Sequence, residues 1–131
     1  MAQHELPPLV LTFLAKHVDN LAQFQLLLRL VQGGDRWWDA AAAARDVGIT
    51  PEEAHAALDH LAKHNLLDIR ITGDVRYQFC PGTDDLREAA QACVDEFRRK
   101  PVQILEVVTG IPRRSLRDFA DAFRIRRDDD R

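Results

Sequence analysis

Residues 37–80 read WWDAAAAARDVGITPEEAHAALDHLAKHNLLDIRITGDVRYQFC, and the way this stretch divides decides the fold. Asp39 stands just before the run Ala40, Ala41, Ala42, Ala43 and Ala44. A short acidic side chain in that place caps a helix, and alanine is the best helix former. Gly48 stops the helix, because glycine takes the left-handed conformation of a helix C-terminus without a steric cost. Thr50 starts a second helix, with Pro51 at its first position and Glu53 three residues after the cap, which makes a capping box. Ala54, Ala57, Leu58, Leu61 and Ala62 supply an apolar stripe at helical spacing, and Asn65 is placed to end it. The turn between the two helices is therefore residues 47–50, with Ile49 directed into the core.

The period then changes from helical to two. Leu67, Ile69, Ile71, Val75, Tyr77 and Phe79 alternate with Asp68, Arg70, Thr72, Asp74, Arg76 and Gln78. Such alternation predicts strands, each with one buried face. Thr72, Gly73 and Asp74 carry the turn between them. Residues 36–38 can add a short third strand, in which one tryptophan faces the core.

Outward from this centre the pattern is helical. Pro7 and Pro8 lead into Leu9, Val10, Leu11, Phe13 and Leu14, a short helix ending near His17. Asp19 or Asn20 caps the next helix, over residues 21–31, whose Leu21, Phe24, Leu27, Leu28 and Val31 form an amphipathic face before Gly33 and Gly34 end it. On the other side, Pro81 and Gly82 break the strand and Thr83 caps a helix with Leu86, Ala89, Ala90, Cys93, Val94 and Phe97 on one face. Pro101 interrupts the helical pattern beyond Lys100. Inside a helix it forces a kink and at a first turn it is harmless, so a break or sharp kink is expected there. Val102, Ile104, Leu105, Val107 and Val108 resume the apolar pattern up to Gly110 and Pro112. A last helix is expected with Leu116, Phe119, Ala120 and Phe123 on its apolar face, before a charged, frayed tail.

The chain has 131 residues and 46% hydrophobic residues, enough for one domain with a single core. It has no internal repeats and no linker long enough to separate domains. The formal charge is −3 and the pI about 5.9, so the molecule as a whole is not drawn to nucleic acid or to an anionic membrane. Cys80 and Cys93 offer neither a disulfide framework nor a zinc-ligand spacing, and read as two reduced thiols. The N-terminal MAQHELPP has no basic region of the kind a signal peptide opens with, and no apolar run reaches the roughly 18 residues of a membrane span. The expectation is a cytoplasmic protein, and the Ala- and Arg-rich composition suggests a bacterial source.

A strand, two short helices across a tight turn and a hairpin, in that order, are the elements of a winged helix-turn-helix. With the helix at 21–31 before it, this stretch resembles the winged helix-turn-helix of bacterial transcriptional regulators of the MarR and PadR kind. The resemblance is carried by VGITPEE, LDHLAKHNLL and the following hairpin, and covers about half the chain. It implies a mainly α fold with a small β hairpin, in which the winged core at 20–81 is flanked by N- and C-terminal helices. It also implies that the second helix of the motif enters the major groove, that the wing touches backbone or minor groove, and that terminal helices, here residues 83–126, make a homodimer.

Carried over to this chain, the second helix (residues 51–64) would present Glu52, His55, Ala56, Asp59, His60 and Lys63 to DNA, and the wing would present Arg70 and Arg76. DNA-reading helices usually offer Arg, Lys, Asn, Gln, Ser or Thr. This one opens on Pro-Glu-Glu. Acids accept from cytosine but repel the phosphates that supply most of the affinity. Further basic runs occur at Arg98, Arg99 and Lys100, and at Arg113, Arg114, Arg117, Arg124, Arg126 and Arg127. Acids are interleaved with them, which favours a solvated helix face over a nucleic-acid patch.

His60 and His64 lie four apart, the spacing of a helical metal-ligand pair, but the intervening glutamate of the HExxH pattern is missing and no third ligand is evident. No metal or other cofactor is expected. There is no Gly-rich phosphate loop and no nucleophile elbow, and Ser115, the single serine, stands where a turn or cap belongs. An enzyme is not expected.

Two functions from different classes remain. The first is a homodimeric DNA-binding regulator. The second is a winged helix used as a protein-interaction module, binding a basic partner through Glu52, Glu53 and Asp59 without DNA. For the dimer, the helices from Leu86 to Phe123 hold more apolar residues than one winged core needs. The alternative is that they fold back over the N-terminal helices of their own chain.

Overall fold

A computed structural model describes residues 6–110. Their elements are α1 (Pro8–His17), α2 (Leu21–Gly33), β1 (Trp37–Trp38), α3 (Ala40–Val47), α4 (Pro51–Lys63), β2 (Leu67–Thr72), β3 (Asp74–Phe79), α5 (Asp84–Arg99) and α6 (Pro101–Thr109). The described part is mostly helical with one small antiparallel sheet, a winged-helix-like arrangement flanked by helices on both sides.

The local signals act where they stand. Asp39 Oδ1 accepts from the Ala42 N–H at 2.7 Å. Gly48 adopts φ 80°, and the N–H groups of Gly48 and Ile49 both bond to the Ala44 carbonyl. The capping box of α4 is complete: Thr50 Oγ1 accepts from Glu53 N–H at 3.1 Å, and Glu53 Oε1 accepts from Thr50 N–H at 2.9 Å. Ala54, Ala57, Leu58 and Leu61 are buried, and Ile49 is half-buried against the core. After α4 the backbone reverses at Asn65, whose φ is 67°. Arg29 of α2 and Asp46 of α3 form an exposed ion pair between the two helices at 2.9 Å.

The sheet has the order β1-β3-β2. Trp37 and Trp38 pair with Gln78 and Tyr77, so the short third strand forms, and Trp38 is the tryptophan that faces the core. Along the hairpin Leu67, Ile69 and Ile71 oppose Phe79, Tyr77 and Val75. Only its base reaches the interior. Leu67, Tyr77 and Phe79 are buried, whereas Ile69 is 46% and Ile71 73% exposed. The expectation of one buried face along each whole strand is therefore corrected. A six-residue strand extends roughly 20 Å, and the helices cover only the end of the hairpin nearest them.

The two N-terminal and two C-terminal helices pack together. Val10, Phe13 and Leu14 of α1 share one core with Phe24, Leu27 and Leu30 of α2, Ala90 and Cys93 of α5, and Ile104 and Val108 of α6. Phe97 meets Phe24 edge-on at 5.3 Å. Pro101 is the first residue of α6 and Lys100 is the junction, so the interruption is a break between helices. The apolar faces of α5 and α6 thus fold back over α1 and α2 of their own chain. The helix expected around Leu116, Phe119, Ala120 and Phe123 and the arginines at 113, 114, 117, 124, 126 and 127 lie outside the described residues. Among the described residues no helix is long and apolar enough to cross a membrane.

Candidate nucleic-acid interface

Helix α4 is held by its cap at one end and its buried stripe along one side, which fixes what the opposite side presents. Glu52, His55, Ala56 and Lys63 are exposed there. Asp59 is only half exposed. Its Oδ1 accepts from the Tyr77 hydroxyl at 3.2 Å, and its Oδ2 lies 3.7 Å from His55 Nε2. Asp59, expected to face DNA, therefore ties α4 to the central strand of the sheet. The Tyr77 phenol is pushed up to about 12, by burial first and then by the Asp59 carboxylate. Glu53 is also engaged within the fold, by its own capping box.

On the wing, Arg70 and Arg76 are direct cross-strand partners, so both guanidinium groups stand on the same outer face of the hairpin. Asp68, Gln78, Thr72 and Asp74 share that face by register, and so does Trp37, the partner of Gln78. The Arg70 guanidinium carbon lies 4.3 Å from the centroid of the Trp37 ring. Arg76 Nε lies 3.3 Å from Asp74 Oδ2. Like charges set directly opposite each other destabilise a strand pair. An aromatic face attracts a cation but leaves its charge in place, so Arg70 keeps its positive charge at an exposed site. Arg76 is paired with Asp74, and both Asp68 and Asp74 share the face.

His60 departs from the expected outward face. Its side chain is 20% exposed and turned toward the end of α1. Its Nε2 sits 2.9 Å from the His17 carbonyl oxygen. Its ring stacks on that of His64 with centroids 4.2 Å apart. His64 Nδ1 in turn lies 2.9 Å from His17 Nδ1, so one of the two must carry the proton and the other accept it. Asp19 Oδ2 lies 3.8 Å from His60 Nδ1. His17 titrates below its usual range because burial disfavours the charged ring and because His64, Lys16 and His60 surround it with positive charge. The helical spacing found His60 and His64. His17 is far away in the sequence and no periodicity joins it to them. Among the described residues no group of three or more His, Cys, Asp or Glu is arranged to hold a metal ion.

The remaining signals resolve locally. Arg98 pairs with Asp95 at 3.9 Å and Arg99 with Glu96, so this part of the basic run is matched by acids on its own helix. Burial pushes the Cys93 thiol up to about 12 and raises that of Cys80 as well, with Asp68 adding to the second. Both thiols are thereby kept protonated at neutral pH, and a protonated thiol is a poor nucleophile.

No protein-family model and no curated protein matches this chain. Among solved structures, the crystal structure of RV1404 from Mycobacterium tuberculosis is similar over 88% of this chain and 80% of that one. The sequence identity is 20% and the TM-score 0.49, a likeness too loose to carry a functional argument.

Proposed function

We propose that this protein is a winged-helix DNA-binding protein, a cytoplasmic bacterial transcriptional regulator of the MarR or PadR kind that acts as a homodimer. The observation that supports this reading most is the Arg70–Arg76 pair, two cations opposed across an exposed hairpin. Asp74 offsets part of that repulsion at Arg76. A polyanion relieves the rest, and duplex DNA supplies phosphates in a regular row. In this reading the wing arginines hold phosphate while α4 turns Glu52, His55, Ala56 and Lys63 toward the groove. Glu52 accepts from a cytosine amino group. Asp59 acts indirectly, fixing α4 against the sheet through Tyr77.

Fluorescence anisotropy with random-sequence duplex DNA, over a series of salt concentrations, tests the proposal. Each phosphate contact contributes about −0.9 to the slope of log affinity against log salt. The double change Arg70→Ala, Arg76→Ala is expected to flatten that slope by about 1.8 and to weaken binding alike at every sequence. Binding that ignores both changes removes this mechanism, and no binding at low salt removes the function.

The exposure of Ile69 and Ile71 favours a second reading, a protein-interaction module. Of the three acids expected to meet a basic partner, Glu53 and Asp59 are engaged inside the fold, so Glu52→Lys is the change to make. A partner complex insensitive to it assigns the interaction to another surface.

A further inference from the structure

Strand β2 lies at an edge of the sheet, and the phase of its hydrogen bonding fixes which of its residues face outward. The Cys80 N–H bonds to the Leu66 carbonyl at 3.0 Å. Leu66 and Cys80 continue the β2–β3 register, in which Leu67 opposes Phe79. Hydrogen-bonded and non-hydrogen-bonded pairs alternate along an antiparallel ladder. Asp68, Arg70 and Thr72 therefore turn their backbone groups toward β3. Leu67, Ile69 and Ile71 turn theirs to the open edge, where no further strand lies among the described residues. Natural edges are usually blocked by proline, charged side chains, a bulge or shortness. β2 is six residues long, LDIRIT, without proline. Its two charges, Asp68 and Arg70, are of opposite sign, so they block a second copy only in a register that sets like against like.

The sequence of this edge is complementary to itself in one register. Let a second copy of β2 run antiparallel beside the first. A two-fold axis through Asp68 sets Asp68 against itself, and one through Arg70 sets Arg70 against itself. An axis through Ile69 pairs all three outward residues, Leu67 with Ile71, Ile69 with Ile69 and Ile71 with Leu67. It also sets Asp68 of each copy opposite Arg70 of the other, twice. These charged positions fall on the non-hydrogen-bonded pairs, where side chains stand closest. The second copy's Asp68 also brings to Arg70 the counter-charge that Arg76 across the hairpin denies it. On the other face the two most exposed hydrophobic side chains of the wing, Ile69 and Ile71, come together with their counterparts.

We infer that two copies of this chain associate through β2, in the register centred on Ile69, to make one six-stranded sheet. This assigns the homodimer to the wing rather than to α5 and α6. It goes beyond the DNA reading and competes with it for Arg70, which would pair with Asp68 of the second copy instead of phosphate. No DNA enters the test, so the two readings fail separately.

The test is sedimentation equilibrium of the full chain and its variants. The unmodified chain is expected to dimerise. Asp68→Arg and Arg70→Asp each place like charges at both cross-copy pairs, and are expected to weaken the dimer about tenfold or more. The double variant Asp68→Arg, Arg70→Asp restores complementarity and is expected to recover the dimer. Circular dichroism checks that each variant is folded. Ile69 lies on the axis, where paired Cα atoms are about 5.5 Å apart, a distance a disulfide spans. Ile69→Cys is thus expected to give a cross-linked dimer on mild oxidation, and Thr72→Cys none. A chain that stays monomeric, because residues 111–131 or nothing at all occupies the edge, overturns the inference. So does a dimer indifferent to charge reversal, or one that Ile69→Cys fails to cross-link.

Discussion

Tyr77 shows how much a single side chain can couple. Its ring is buried at the base of the wing while its hydroxyl reaches Asp59 on α4, so one residue joins the sheet to the helix that faces outward. It is the one tyrosine of the chain, so a phenolate absorbance titration reads it alone. The titration is expected near 12 instead of the usual 10. Because burial is the leading cause, Asp59→Asn should bring the midpoint down only part of the way. A midpoint near 10 in the folded protein removes the buried Tyr77–Asp59 contact. Tyr77→Phe deletes the hydrogen bond and keeps the ring. Asp59 is half exposed and water can take the lost donor's place, so the expected loss is about 1 kcal/mol in urea unfolding. The strand pattern put Tyr77 on an inward face. It could not place Asp59 beneath it, because helical spacing alone makes Asp59 an outward residue.

At the scale of elements, the turn and both helix starts of the central motif were legible because their signals are local. Asp39, Gly48, Thr50, Pro51 and Glu53 each act within four residues. What closes the wing is not local. Gly82 donates to the Asn65 carbonyl at 2.9 Å, which latches the exit of the hairpin to the residue that ends α4. A Cβ on Gly82 would stand 2.0 Å from Asn65 Nδ2. The sequence marks Gly82 as a strand breaker, but the demand for a hydrogen there comes from the Asn65 side chain. Gly82→Ala is therefore expected to cost about 1 kcal/mol, the low end of the range for overpacking, because both residues are exposed and the Asn65 side chain can turn toward solvent. Asn65 sits at φ 67°, which glycine accepts. Asn65→Gly alone should change stability little, and in the double variant it should recover most of the loss. Urea midpoints of the four proteins measure the coupling. Additive effects would mean the Asn65 side chain moves aside at no cost. The wing's outer half belongs to the same lesson. Alternation told which residues share a face, but where the helices stop covering that face depends on packing, which left Ile69 and Ile71 exposed.

For the whole molecule, α2 packs on both the winged core and the C-terminal helices, and α1 adds a polar link to that core. Its apolar side covers α5 and α6, while His17 at its end meets His60 and His64 of the α4 region. Composition and periodicity gave each helix its apolar face but not this partner, so the polar link between α1 and the winged core was hidden. The link is also where acid should act. His17 titrates below its ordinary 6.5 when folded, so below 6.5 the unfolded chain binds more protons at this site than the folded one. The contribution of this ring to stability is then complete above pH 6.5. It is lost as pH falls from 6.5 toward the lowered folded value, and constant below that. The groups around it give the reason: Lys16, His60 and His64 stand beside the ring, and Asp19, the nearest acid shown in the cluster, approaches His60 instead. His17→Gln keeps a polar side chain that can still meet His64 Nδ1 but cannot titrate. Urea unfolding at about pH 7.5 and about pH 5 should show the unmodified chain losing more stability than His17→Gln over that interval. Parallel losses would place the acid sensitivity elsewhere. A smaller loss in the unmodified chain would reverse the sign and mean that His17 gains, rather than lacks, a partner for its proton.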